Sequence, residues 1–187
     1  MEARQVTVGD RVWGVRIGGP QSRHTVLLLP DAGAAPDVYD AVSARLHNSD
    51  LRTVAVETIE GLDAAAVYAI LDELEVPWVN VVGCGAGADL AWQLCSRGFG
   101  RFIGLVAAGR GHPAAAGADG EIVDSGCPAV EIPTTLIATK RLPRAVAEGS
   151  GRHVYGEFRI AQVDVADPAT EADHELATEI VLRSGMW

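Results

Sequence analysis

Six residues near the middle of the chain, Gly83-Cys84-Gly85-Ala86-Gly87-Ala88, follow the apolar run VNVV and lead into the helical pattern ADLAWQL. Three chemistries suit such a corner. A backbone N–H at a helix start, here Ala86, attracts anions. A thiol there, here Cys84, is acidified by the same field and becomes a nucleophile. The spacing G-x-G-x-x-A is also the dinucleotide fingerprint, whose glycines let a pyrophosphate approach the backbone. For that reading the acidic residue expected after the next strand is missing and Arg110 stands in its place. An arginine accepts a 2′-phosphate, so NADP is the dinucleotide to consider. Against it, the fingerprint belongs to the first βαβ unit, and two buried strand patterns precede this one. A glycine corner also lets a helix pack closely on a strand with no ligand at all. Gly85, at the tip, has no side chain, and Cys84 beside it is expected to point under the turn, as a buried structural thiol does.

Few other residues offer chemistry. Asp31 and Ala32 lie in the loop PDAGAAP, and Arg110 and His112 in AGRGHP. His112 beside Arg110 suits an anionic ligand; its ordinary reading is a solvated loop histidine. His24, His47 and His153 are assigned no role. Ser125 is an alternative nucleophile to Cys84. Asp164, Asp167, Glu171, Asp173, His174 and Glu175 gather near the end of the sequence, but their spacing fits no metal motif, and acidic residues in a first helical turn are favoured by the helix dipole anyway. No metal or cofactor is expected. Trp13, Trp78 and Trp92 read as core or interface aromatics, and Trp187 as exposed or docked on a partner chain.

The elements that must position these residues follow from periodicity. RQVTV and VWGVRIG alternate apolar and polar residues around Gly9-Asp10, which predicts a hairpin. HTVLLL, RTVAVE, WVNVV, FIGLVAA and TTLIAT are continuous apolar runs, the mark of strands buried on both faces. FRIAQVDV is a last strand. Between them DVYDAVSARLH, LDAAAVYAILDELEV (stopped by Pro77), ADLAWQLCSRG and the weaker PRAVAEGS carry helical spacing. PATEADHELATEIVLRSG is a closing helix, capped by Asp167 with Pro168 at its first position. Residues 109–133 have no period and read as a long loop. Strands alternating with helices predict an α/β domain over 1–187: a mostly parallel central sheet with helices on both faces and an N-terminal antiparallel hairpin. Ligands in such folds sit beyond the carboxyl ends of the strands. That rim collects PDAG, ETIEG, GCGAG, AGRGH, TKRLP and DVADP.

This order resembles the α/β-hydrolase superfamily. HTVLLLPDAG lies where that family has a strand and a His-Gly turn, and VNVVGCGAG lies where it has the nucleophile elbow G-x-S-x-G. No cap domain follows FIGLVAA, so the resemblance implies a small, cap-less member. It also implies where a catalytic triad would stand. The nucleophile position is Gly85. The acid should follow TTLIAT, where KRLPRA stands instead. The base should follow the last strand, where VDVADP stands, with His174 arriving late in the final helix. All three depart from the pattern. The elbow holds its nucleophile in a strained backbone conformation of a kind that costs a non-glycine residue about 1–3 kcal/mol, and glycine adopts it nearly free. The N–H groups of Ala86 and Ala32 correspond to the oxyanion donors, although Pro30-Asp31 replaces the His-Gly turn. An Asp31 carboxylate facing the pocket would repel an incoming anion.

The resemblance therefore implies a non-catalytic protein with a vestigial pocket formed by Asp31, Ala32, Cys84, Gly85, Ala86, Arg110 and His112. It would act by binding a small molecule or a protein. The alternatives are an ester or acyl hydrolase using Cys84 or Ser125, and an NADP-binding protein using Gly83–Ala88. A formal charge of −10 disfavours nucleic acid and anionic membrane as partners. The start MEARQVTVGDRVWG reads as neither signal peptide nor anchor, and three cysteines without metal spacing suit a reducing, cytoplasmic setting. A homodimer through the opening hairpin is the expected mode of self-association.

Overall fold

Thr25–Leu29 (β3), Val79–Cys84 (β5) and Thr134–Ala138 (β7) are buried at every position, which requires cover on both faces of the sheet. The computed structural model of the chain, which describes residues 1–185, supplies it. Glu2–Val8 (β1), Arg11–Gly18 (β2), Arg52–Val56 (β4), Phe102–Ala108 (β6) and Phe158–Gln162 (β8) complete an eight-stranded sheet. The strand order is β1-β2-β4-β3-β5-β6-β7-β8. The hairpin β1–β2 and the β2–β4 pair are antiparallel, and all later pairs are parallel.

The two-residue period of a strand sends alternate side chains to opposite faces. Leu27 and Leu29 join Val81, Leu105 and Leu136 in one cluster, covered by Ala64–Glu73 (α2) and Ala86–Arg97 (α3). Val26 and Leu28 join Val82, Val106 and Ile137 in the other, covered by Asp40–His47 (α1) and the C-terminal helix. Each fully buried Leu or Val contributes about 1.5–3 kcal/mol. Trp13 and Trp92 are core residues, whereas Trp78 is 47% exposed; Trp187 lies outside the described residues.

Three local features differ from the periodicity reading. The second helix ends at Glu73, ahead of Pro77. Its chain reverses through Glu75 at φ 53°, with Glu75 N–H on Asp72 O and Val76 N–H on Leu71 O. That is a Schellman close with glutamate in the usual glycine position, sealed by the buried pair Leu71 and Val76. The closing helix is two pieces, Pro168–Glu171 (α5) and Asp173–Ser184 (α6), broken at Ala172. The pieces answer to different partners: Ala169 packs into the sheet cluster, and Asp173 pairs with Arg45 of α1 at 2.6 Å. The weak helix is four residues, Arg144–Ala147 (α4), continued by a 3₁₀ segment, Glu148–His153. No helix among the described residues is long and apolar enough to cross a membrane.

Candidate functional site

The rim beyond β3, β5 and β7 brings Asp31, Gly85 and Arg141 together. Gly85 follows β5 directly at φ 53°, ψ −121°, a conformation that a side chain makes costly. Its N–H is held by Ala108 O at 3.1 Å, and Ala88 and Asp89 N–H groups bond back to its carbonyl. The corner is therefore fixed, and the first free amide of α3, Ala86, faces the rim.

That amide is occupied. Asp31, two residues beyond Leu29, reaches across so that its Oδ1 accepts the N–H groups of Ala86 and Ala32, each at 2.8 Å. Its Oδ2 accepts Arg141 Nη1 at 2.7 Å. Arg141 is aimed by a tight turn after β7. Thr139 and Leu142 exchange backbone bonds of 3.0 and 3.2 Å, and Arg141 N–H donates to Thr139 Oγ1 at 3.1 Å. A Cβ built on Gly85 would collide with the Asp31 carboxylate. The carboxylate thus sits on both amides and fills the space that a side chain on Gly85 would take. Partial burial pushes the Asp31 carboxyl upward, but the two amides and Arg141 outweigh it and hold it below its ordinary range. The Asp31 side chain does face the rim, and its carboxylate is itself the anion bound by the two amides. Arg141 was missed as a site residue. Its signal was its position: a cation beyond β7, where the resemblance expects an acid.

Cys84 lies under the corner, buried in the α1/α6 cluster beside Tyr39. Burial pushes its thiol up to about 12, so it is a neutral S–H near pH 7. The Tyr39 hydroxyl donates to Leu29 O at 2.8 Å. Gly83 and Gly87 have a packing reason. A Cβ on Gly83 would strike the Gly87 backbone, and one on Gly87 would strike the Leu29 carbonyl. The glycine run lets α3 sit against β5 and β3, and its Ala86 amide is already engaged.

Arg110 is half-exposed, with its Nε 3.6 Å from Asp89 Oδ2, and its carbonyl accepts Trp92 Nε1–H at 3.0 Å. His112 is not a solvated loop residue: only 1% of it is exposed. The Ala114 N–H donates to its Nδ1 at 3.1 Å, which leaves the proton on Nε2, directed to Pro128 O at 2.9 Å. Its ring stacks on His153 at 4.8 Å between centroids and meets Trp92 edge-on at 5.3 Å. Burial holds it below the usual histidine range. The 109–133 segment has no strand or helix to organise it and uses this ring as its own small core. With both nitrogens engaged, His112 has no lone pair for general-base work.

Ser125 is exposed in a turn closed by Cys127 N–H on Asp124 O, and His174 is exposed on α6. Three of the acidic residues near the end have local duties. Asp167 caps α5 through Ala169 N–H, Glu171 accepts the Ala166 and Asp167 N–H groups, and Asp173 binds Arg45. Beside the Asp31–Arg141 pair lies an open cavity of about 340 Å³, lined by Asp89, Arg110, His112, Arg141, Leu142 and Val146 among others.

No protein-family profile matches the sequence, and no curated protein matches it. Solved structures match in shape. They include an epoxide hydrolase mutant from Vigna radiata, with TM-score 0.78 and 13% identity over 100% of this chain and 99% of that one. A haloalkane dehalogenase loop variant from Bradyrhizobium elkanii gives 0.77 and 11% over 96% and 95%. The enol-lactonase from Burkholderia xenovorans gives 0.74 and 13% over 96% and 97%. The fold is that of the α/β-hydrolases.

Proposed function

We propose that this α/β-hydrolase-fold chain is non-catalytic and works by binding a small ligand or a protein. One observation carries the reading: the Asp31 carboxylate occupies the oxyanion donors and the space above Gly85. Acyl transfer needs a nucleophile at that corner and two donors free for the developing oxyanion. Here a hydrogen stands in the first place and the chain's own carboxylate in the second. The neutral thiol of Cys84 and the engaged nitrogens of His112 supply no substitute. A guanidinium takes the place of the acid. The same arrangement bears on dinucleotide binding, since a pyrophosphate would have to compete for the Ala86 amide.

The test is direct. Purified protein is incubated with a fluorophosphonate probe and with p-nitrophenyl acetate and butyrate. No stoichiometric label and no turnover above background are expected. Labelling at one site per chain, or turnover lost in Cys84→Ala or Ser125→Ala, would establish a hydrolase instead.

A further inference from the structure

Three donors converge on one carboxylate at the rim, and the carboxylate is the chain's own. The Ala86 and Ala32 amides bind one oxygen and Arg141 the other, an arrangement that any planar carboxylate can reproduce. We propose that Asp31 is an internal competitor for a carboxylate-binding site, displaced by the carboxylate of a small ligand entering from the adjacent cavity. The proposal rests on the binding reading above and names the ligand class.

Arg141 links the two places. It lines the cavity and is half-exposed, and of the five N–H donors on a guanidinium one is directed to Asp31. A ligand carboxylate meets that guanidinium first. Asp31 can leave by side-chain rotation alone, because its bond to Ala32 is to the next residue and both amides stay in place. The loop around it is small and open: Ala32, Gly33 and Ala35 are exposed, and a Cβ on Gly33 would meet nothing within 4 Å. Leu142, Val146 and Pro113 offer apolar surface to the ligand's body. Asp89, Asp119 and Glu121 line the same cavity, and their charge favours a monoanion over a dianion such as a phosphate ester. Competition sets the affinity. A site open only a fraction of the time binds weaker by that fraction, so removing Asp31 should tighten binding without adding a contact.

The experiment titrates wild type, Asp31→Ala, Arg141→Ala and the double variant with butyrate, using inorganic phosphate and chloride as controls. Calorimetry should show Asp31→Ala binding butyrate at least tenfold tighter than wild type, with the gain lost in the double variant. In parallel, the Ala32 and Ala86 amide resonances of the wild-type protein are followed by heteronuclear NMR. They should move together and saturate with butyrate, and not with chloride. Equal affinity in wild type and Asp31→Ala, a gain that survives loss of Arg141, or amide shifts that chloride reproduces would each overturn the proposal. The wild-type NMR arm decides the question even where a variant fails to fold. Ester turnover by the wild type would sink the non-catalytic reading and leave this titration unaffected.

Discussion

Gly85 and Asp31 are two halves of one arrangement. The bare Cα leaves room for the carboxylate, and the carboxylate leaves no room for a Cβ. Gly85→Ser should therefore give no esterase activity. It forces a side chain into the φ 53°, ψ −121° conformation, at about 1–3 kcal/mol, and expels Asp31 from three hydrogen bonds, at about 1–3 kcal/mol more. Asp31→Ala removes that second conflict beforehand. Urea unfolding should show the double variant losing less than the sum of the singles, by about 1 kcal/mol or more. Strict additivity would mean the two positions do not share the space. The glycine at the corner, and the absence of a carboxylate in KRLPRA and of a histidine in VDVADP, were legible in the sequence because they are matters of residue type at given places in the strand order. The Asp31 contacts were not legible: they depend on the direction of one aspartate side chain and on a partner 110 residues away.

At the scale of elements, five of the strands were legible as apolar runs, since a strand buried on both faces admits little else, and the two strands of the opening hairpin by their alternation of apolar and polar residues. The departures came where tertiary packing outweighed local pattern: the Glu75 close of α2, the break at Ala172, and above all residues 109–133. That segment reads as loop because its apolar residues have no period, yet it is organised around His112. His112→Ala should loosen it by about 1–3 kcal/mol, the usual consequence of unpairing buried polar groups. Hydrogen exchange over 113–128 should quicken while β5 and β6 stay protected. The pH dependence has a definite sign. The folded histidine titrates below its ordinary value, so the opened segment takes up a proton that the closed one does not. The protection is then complete above about pH 6.5 and fades as the pH falls below that. The alanine variant should show no such fall; a fall of equal size would place the titrating group elsewhere.

For the whole molecule, the question is whether two clusters on opposite sides of one sheet behave as one unit. They share strands residue by residue: Leu27 and Leu29 serve one side, Val26 and Leu28 the other. Neither side can lose its helices while the strands keep their places, because exposing one face removes half the burial that holds each strand. Leu71 of α2 and Ile180 of α6 are fully buried on opposite sides. Truncating either to alanine leaves a cavity that costs about 2–5 kcal/mol. Both variants should shift a single denaturant transition, with tryptophan fluorescence and far-UV circular dichroism coincident and the slope unchanged. Trp13 and Trp92 report from the α2/α3 side only. If Ile180→Ala therefore moved the dichroism midpoint but left the fluorescence midpoint in place, the two sides would be separate units and the single-domain reading would fail.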